Sequence, residues 1–195
     1  MSAPLTSSEI LDAAEQVLRR FGPSKTTVVD VARALEVSHG TVYRHFPSKA
    51  VLRDAVTERW LDRVSEPLEA VVSGKGKAET RLRAWLELLA RTKQDMARED
   101  PEMFATFHTQ TSESREVVAS HLARLSGQLS EIVAAGVAAG EFAARDVERT
   151  GWAILQATAR FHPPAHAAEW DDPDLDRDFA AVFDLVVNGL ARPRG

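Results

Sequence analysis

Apolar residues recur every three or four positions along almost the whole chain, a spacing typical of amphipathic helices. No stretch of useful length alternates apolar and polar residues as a strand does. We therefore predict an all-α fold of about nine helices. The first helix is predicted over residues 7–21, where Thr6 and Glu9 have the spacing of a capping box. Gly22 and Pro23 follow in the order expected of a helix end.

Two short helices joined by a tight turn are predicted within residues 26–49. Thr27 is placed to cap the first of them, and Ser38 is placed to cap the second, which is predicted over residues 39–46. The apolar residues of the second helix fall at i, i+4 spacing and point inward, so that its other face is polar. Such a pair forms a helix-turn-helix unit, whose second helix fits the major groove of DNA.

The run T-T-V-x-D-V-A-x-x-L-x-V-S-x-G-T-V-Y-x-H-F-x-x-K-x-x-L resembles the DNA-binding domain of TetR/AcrR-type bacterial transcriptional regulators. The resemblance extends over residues 10–52. One position departs from it, because Glu36 stands where the family usually has glycine in the turn. A left-handed backbone at that position costs a non-glycine residue about 1 kcal/mol.

The resemblance implies that nine residues of this segment serve DNA binding. Gly40, Thr41 and Arg44 are expected at base edges, where Arg44 suits guanine. Ser38 is expected to cap the helix, and His39 to contact either a base or a phosphate. The residues expected at phosphates are Thr27, Tyr43, His45 and Lys49. For the tyrosine, packing against the first helix is the alternative.

Charge and composition fit a DNA-binding domain followed by an acidic body. Residues 1–53 carry seven basic and five acidic residues, a net charge of +2, which leaves −7 for the remainder of a chain whose total is −5. We predict a helix-turn-helix domain over residues 1–53 and a helical effector-binding and dimerisation domain over residues 54–195. The chain has no cysteine and no apolar run of membrane-spanning length, so a soluble, cytoplasmic protein without membrane contact is expected.

The helical pattern continues to the end of the sequence. A long fourth helix is predicted from Ser48 to Val72, and Pro67 inside it predicts a kink or a break. The eighth helix is predicted to run through Phe161. The ninth is predicted to open with Asp172 as its cap and Pro173 at its first position.

Few motifs indicate chemistry. The sequence contains no H-E-x-x-H, G-x-S-x-G or glycine-rich phosphate loop, so neither catalysis nor a cofactor is expected. Aromatic residues and a few polar neighbours suit an apolar small-molecule pocket, and the resemblance implies a cavity enclosed by helices four to eight. The predicted ligand-binding residues are Trp60, Trp85, Phe104, Phe107, His108, Trp152, Gln156 and His162. His108, placed on the aromatic face of helix six, could alternatively bind zinc or nickel with His162 and His166, but no metal is expected.

Helix nine carries more apolar width than burial against one neighbour requires, and helix eight carries small residues. The resemblance implies that these last two helices pair two subunits. We therefore predict a homodimeric repressor that binds a palindromic double-stranded DNA operator and is released by a small molecule, apolar or aromatic in character. Two alternatives are an enzyme that uses the cavity histidines and a helix-turn-helix protein that has no effector.

Overall fold

The computed structural model describes residues 4–23 and 26–191, and within these ranges the chain is helical with one isolated bridge, between Phe142 and Ala191. The predicted all-α class is confirmed. The α-helices of the described residues are α1 Ser7–Phe21, α2 Val28–Ala34, α3 His39–Tyr43, α4 Lys49–Val72, α5 Ala78–Glu99, α6 Pro101–Thr111, α7 Arg115–Ala138, α8 Val147–Ala157 and α9 Leu175–Leu190. Lys25, counted above among the basic residues, lies outside the described residues.

Local signals determine where α1 begins and ends. The Thr6 hydroxyl accepts a hydrogen bond from the backbone N–H of Glu9 at 3.3 Å, and the Glu9 carboxylate accepts one from the backbone N–H of Thr6 at 2.8 Å. This is the predicted capping box, and it is confirmed. Gly22 ends the helix with φ of 76°, a left-handed value that glycine adopts without steric cost.

Three predicted helix boundaries are wrong. The second helix of the helix-turn-helix ends at Tyr43, three residues early, and the chain then turns at Arg44. α8 ends at Ala157, and a 3-10 turn carries the chain on to Phe161. Thr158 lies between them, where its hydroxyl donates to the Ile154 carbonyl at 2.9 Å.

α9 begins two residues later than predicted. The Asp172 carboxylate accepts a hydrogen bond from the backbone N–H of Asp174 at 2.9 Å, so it closes a turn before the helix instead of capping it. Asp174 is the residue at the N-cap position, and Leu175 is the first residue of the helix. Residue type alone did not distinguish these two aspartates.

Pro67 neither ends nor divides α4, which is assigned as one helix from Lys49 to Val72. Proline has no N–H to donate to the carbonyl of Arg63, so one backbone hydrogen bond is missing there. The neighbouring turns are well buried, with Val64 and Leu68 fully enclosed, and this packing maintains the helix across the gap.

The chain forms two compact units. The first contains the residues up to Leu61 together with Asp100–Ala119, and the second contains Asp62–Glu99 together with the residues from Ser120 onwards. The first unit therefore includes α6, whose Phe107 stacks on Trp60 of α4 at a centroid distance of 4.7 Å. α4 and α7 each contribute residues to both units.

The second unit is built around an apolar core contributed by α4, α5, α7, α8 and α9, with Leu82, Leu129 and Ile132 completely buried. Close packing of α8 on α7 requires a glycine. A Cβ added at Gly151 would lie 2.8 Å from the backbone nitrogen of Ser130, nearer than real Cβ atoms approach.

Candidate nucleic-acid interface and effector region

The polar face of α3 is produced by one cap and two buried anchors. The Ser38 hydroxyl accepts a hydrogen bond from the backbone N–H of Thr41 at 3.2 Å, which starts the helix. Val42 is fully buried and Phe46 is 6% exposed, so this face of the segment is fixed against the first unit. The remaining side chains of the segment must point to solvent.

The turn that precedes α3 satisfies the end of α2. The backbone N–H of Glu36 donates to the Arg33 carbonyl and that of Val37 donates to the Ala32 carbonyl, at 3.2 and 3.0 Å. This is the Schellman arrangement, in which one residue adopts left-handed backbone angles. Glu36 is that residue, with φ of 54°. The condition for strain at this non-glycine position is therefore met.

The side chains on the outer face of α3 are available to a partner. Tyr43 is 42% exposed, and its ring meets the edge of the His39 ring at a centroid distance of 6.3 Å. Arg44 is exposed, and its guanidinium forms no hydrogen bond or ion pair with any described residue. Gly40 is also exposed, while Thr41 is half-buried beside the Ser38 hydroxyl.

The side chains expected at phosphates lie at the ends of α2, α3 and α4. Lys49 is exposed at the first position of α4, where the Ser48 hydroxyl accepts a hydrogen bond from the backbone N–H of Val51 at 3.2 Å. His45 is exposed and bonds through Nδ1 to the Ser7 hydroxyl at 3.0 Å. Thr27 is half-buried and caps α2, because its hydroxyl accepts from the backbone N–H of Asp30 at 3.2 Å.

Several charged residues that position α4 were missed by the sequence analysis. Arg59 of α4 pairs with Asp12 and Glu15 of α1, both at 2.7 Å. Arg53 pairs with Glu113 at 2.8 Å in the segment that follows α6. Their signal in the sequence was weak, since a charged residue on a predicted helix is more often a solvated surface residue.

A second contact joins α4 to the same segment. The Ser114 hydroxyl, whose residue is 3% exposed, donates to the Asp54 carboxylate at 2.7 Å. Because Ser114 directly precedes α7, the start of α4 is connected to the start of α7 within the first unit.

The predicted ligand-binding residues do not form one cluster. Trp60, Phe104 and Phe107 come together in the first unit, at centroid distances of 5.9 Å and 4.7 Å from the tryptophan. Trp85 lies in the second unit and donates from Nε1 to the Gln128 amide oxygen at 3.0 Å. His108 is exposed, so it does not lie on the aromatic face of α6 as the spacing predicted.

The other three predicted ligand residues belong to the second unit. Trp152 and Gln156 of α8 are exposed, the tryptophan by 43%. His162 is 5% exposed and lies 3.4 Å from the Thr158 hydroxyl through Nε2. His166 is half exposed and bonds to Glu169 at 2.7 Å. Over the described residues, no three histidine, cysteine or acidic side chains are grouped closely enough to hold a metal ion.

Recesses of small-molecule size occur in both units. A cleft of about 440 Å³ in the second unit lies between α5 and α9, with Gln94 and Phe161 among its lining residues. A recess of about 290 Å³ in the first unit is lined by residues of α4 and α6, including Gln110. None of the eight predicted ligand-binding residues lines either of them.

Family models match both parts of the chain. Residues 10–56 match the model described as bacterial regulatory proteins of the tetR family, and residues 78–183 match the tetracyclin repressor-like C-terminal domain. The second match covers more than half of the chain. The chain therefore belongs to the TetR family, and it is a ligand-responsive DNA-binding transcriptional regulator.

Similar proteins agree with this assignment over nearly the full length. An uncharacterized HTH-type transcriptional regulator of Mycobacterium tuberculosis is 25% identical over 193 residues, which are 98% of this chain and 91% of that protein. The HTH-type transcriptional repressor KstR2 of Rhodococcus jostii is 27% identical over 199 residues, with 95% of this chain and 91% of KstR2 covered.

Solved structures share the fold. SmeT, the repressor of the Stenotrophomonas maltophilia multidrug efflux pump SmeDEF, superposes with a TM-score of 0.68 at 19% identity, over 97% of this chain and 92% of SmeT. FadR of Bacillus subtilis in complex with stearoyl-CoA gives a TM-score of 0.64 at 20% identity, over 95% of this chain and 100% of FadR.

No helix of the described residues is both long and apolar enough to traverse a bilayer.

Proposed function

We propose that the protein is a homodimeric repressor whose two α3 helices bind a two-fold-symmetric operator and which a small molecule releases from DNA. The observation that carries the proposal is the outer face of α3, where Arg44 has no partner among the described residues and Tyr43 is 42% exposed. An arginine fork with free donors matches the two acceptors on the major-groove edge of guanine.

The remaining residues have supporting roles in this proposal. Gly40 and Thr41 bring the start of α3 close to base edges, and His39 contacts either a base or a phosphate. Ser38 acts through its cap, since its hydroxyl is bonded to Thr41. The phosphate contacts are assigned to Thr27, Tyr43, His45 and Lys49, assisted by the positive ends of α2 and α4.

The dimer contact is assigned to α8 and α9. Leu185 of α9 is 73% exposed and Trp152 of α8 is 43% exposed, which is costly for large apolar side chains on a free surface. Ala153 and Ala157 of α8 are exposed as well, and small residues allow a partner helix to approach closely. A second copy of the chain is the occupant that suits a regulator of symmetric DNA sites.

The proposed release mechanism uses the two helices that supply residues to both units. α4 begins beside α3 and is bonded to the start of α7 through the Arg53–Glu113 and Asp54–Ser114 pairs. An effector that favours another arrangement of α4 and α7 would change the spacing of the two α3 helices, which must match successive major grooves about 34–36 Å apart. The effector must prefer the released state by a few kcal/mol to empty the operator. KstR2 is named a repressor and FadR was solved with stearoyl-CoA, which supports this type of regulation.

Selection of bound DNA from a random pool tests the proposal. We expect enriched sequences to contain two inverted half-sites separated by about one helical turn. Enrichment of a single asymmetric site, or of no site, would contradict the proposed dimeric operator binding.

Two substitutions separate base recognition from phosphate binding. We expect Arg44→Ala to cost about 1–3 kcal/mol of operator binding and to relax base preference at one position of each half-site, because it removes the guanine contact. Lys49→Ala should weaken binding to all sequences alike and reduce the salt dependence. Equilibrium titrations of operator and scrambled DNA measure both effects, with Arg91→Ala on α5 as the control. An equal loss on both DNAs in Arg44→Ala would exclude base recognition by this residue.

A further inference from the structure

The second unit buries three basic side chains near one another. Lys93 of α5 is 6% exposed, His121 of α7 is 7% exposed, and His162 in the segment after α8 is 5% exposed. Gln94, the neighbour of Lys93, donates from Nε2 to the carbonyl of Phe161, the neighbour of His162, at 3.3 Å, so α5 contacts the segment after α8 at this point. The positive charge of Lys93 also lowers the pKa of both histidines. We call Lys93, His121 and His162 the basic cluster.

α5 and α7 run antiparallel, because the backbone N–H of Ala78 at the start of α5 donates to the carboxylate of Glu141, just after α7, at 2.8 Å. Trp85 of α5 bonds to Gln128 of α7 at 3.0 Å. Two helical turns later along α5 the chain reaches Lys93, and two turns earlier along α7 it reaches His121. Leu89 and Leu125, both at most 1% exposed, occupy the layer between these polar levels. The basic cluster therefore adjoins an apolar interior.

No acidic residue of the described chain neutralises the cluster. The Lys93 ammonium forms no hydrogen bond or ion pair with a described residue, and His121 Nε2 is buried without a partner. The other charged groups that act on the histidines are Arg124 and His166, which are also basic. Each of these two residues bonds to an acid, Arg124 to Asp62 and His166 to Glu169, each at 2.7 Å.

The cluster carries one positive charge at neutral pH. Burial lowers the pKa of Lys93 to about 8, so its ammonium remains mostly protonated. Burial and the charge of Lys93 lower the pKa of His121 and of His162 to about 3, so both imidazoles are neutral. A neutral imidazole still supplies one N–H donor. Proteins rarely bury a cation without an anion beside it, because the lost hydration is not replaced.

We propose that the basic cluster binds the acidic group of the effector, and that the effector is an apolar organic acid with a single carboxylate. The ammonium of Lys93 supplies the charge, and His121 supplies a hydrogen bond through Nε2 in the tautomer that is protonated there. One positive charge matches a monoanion, and the leucine layer beside it matches an apolar body. This assignment rests on the proposed small-molecule regulation and adds the chemical class of the ligand.

Binding measurements on the protein without DNA test the assignment. The probes are butanoic, octanoic, dodecanoic and phenylacetic acids, each compared with its own primary amide by isothermal titration calorimetry at pH 7. We expect at least one acid to bind ten-fold or more tightly than its amide. Above pH 8 the affinity for that acid should fall about ten-fold per pH unit as Lys93 loses its proton. If no acid is preferred over its amide, the assignment is overturned.

A charge-removing variant locates the site. Lys93→Met keeps an unbranched side chain that ends where the ammonium was attached, and it should abolish the preference for acid over amide. Lys77→Met, at an exposed position, should retain that preference. Because Lys93→Met also removes an unpaired buried charge, its denaturation midpoint should equal or exceed that of the unsubstituted protein. A preference for acids that survives in Lys93→Met would overturn the assignment.

The two proposals fail separately. A protein that selects a two-fold DNA site but binds no acid in preference to its amide retains the proposed function and loses the ligand class. A protein that binds acids through Lys93 but selects no DNA site keeps the carboxylate site and loses the proposed operator binding.

Discussion

The outer face of α3 and the basic cluster of the second unit both hold a cation without a protein partner, but at opposite depths. Arg44 is exposed, and water solvates its guanidinium. Lys93 is 6% exposed, and burial lowers its pKa to about 8. An unpartnered surface cation costs almost nothing, whereas an unpartnered buried one costs several kcal/mol. A side-chain cation without a protein partner therefore indicates a binding site much more strongly when it is buried than when it is exposed.

The two regions also differ in how they are assembled. The α3 face comes from one continuous segment, with Ser38 as cap and Val42 and Phe46 as anchors. The basic cluster takes its three members from α5, α7 and the segment after α8. The following substitutions and conditions test these differences, beginning with the largest expected effect.

Acid should destabilise the second unit through its buried histidines. The pKa of His121 and of His162 is lowered to about 3 in the folded protein, against an ordinary value of 6.5, mainly by burial. Between these values the unfolded chain binds two protons that the folded protein does not, so the free energy of unfolding falls as pH drops below 6.5. From pH 6.5 to 5 the loss should be about 3 kcal/mol for the two residues together.

Urea denaturation at several pH values measures this effect. The double variant His121→Leu, His162→Leu should have a flatter pH dependence than the unsubstituted protein. An unaltered pH dependence in the double variant would show that these histidines are not held neutral by the fold.

Close packing in the second unit should make one glycine indispensable. We expect Gly151→Ala to lower the free energy of unfolding by about 1–3 kcal/mol, because its Cβ would approach the backbone nitrogen of Ser130 to 2.8 Å. Gly127→Ala on α7 is the matched control, since no atom lies within 4 Å of its added Cβ. The control should gain up to about 1 kcal/mol from the better helix propensity of alanine. Similar effects of the two substitutions would contradict the close contact between α7 and α8.

The smallest effect is expected in the turn before α3. Glu36 has φ of 54°, so Glu36→Gly should remove steric strain of about 1 kcal/mol. The greater freedom of glycine in the unfolded chain offsets part of this gain, and a net increase of about 0.5 kcal/mol in unfolding free energy remains. Glu36→Gln retains the Cβ and should give no increase. A chemical denaturation series compares the three proteins, and a loss of stability in Glu36→Gly would contradict the left-handed assignment.

Local features of the first unit could be predicted because they depend on residues a few positions apart. The Thr6–Glu9 capping box follows from spacing within a single turn, and it is present. The turn at Glu36 was identified only through the resemblance, which has glycine there, and its backbone is left-handed. In the second unit, the predicted start of α9 was wrong because Asp172 and Asp174 are both suitable caps by residue type. Which aspartate closes a turn and which begins the helix depends on the backbone between them.

The second unit was less predictable because its chemistry depends on distant residues. Lysine is usually exposed, and only the packing of the second unit reveals that Lys93 is buried. His162 was predicted as a ligand-binding residue, and this remains a prediction. The proposed basic cluster adds that the bound group is a carboxylate. Trp152 shows the opposite limitation, since helical spacing did not reveal that it is exposed.

The first unit is built from two separate segments of the chain, which limits where the chain can be cut into fragments. A fragment that stops at Leu61 keeps the helix-turn-helix but lacks Phe104 and Phe107, which cover the Trp60 ring. During synthesis on the ribosome, this unit therefore remains incomplete until residue 119 has been made. A soluble minimal DNA-binding fragment would need residues 100–119 grafted onto the shortened chain, or a polar replacement for the tryptophan.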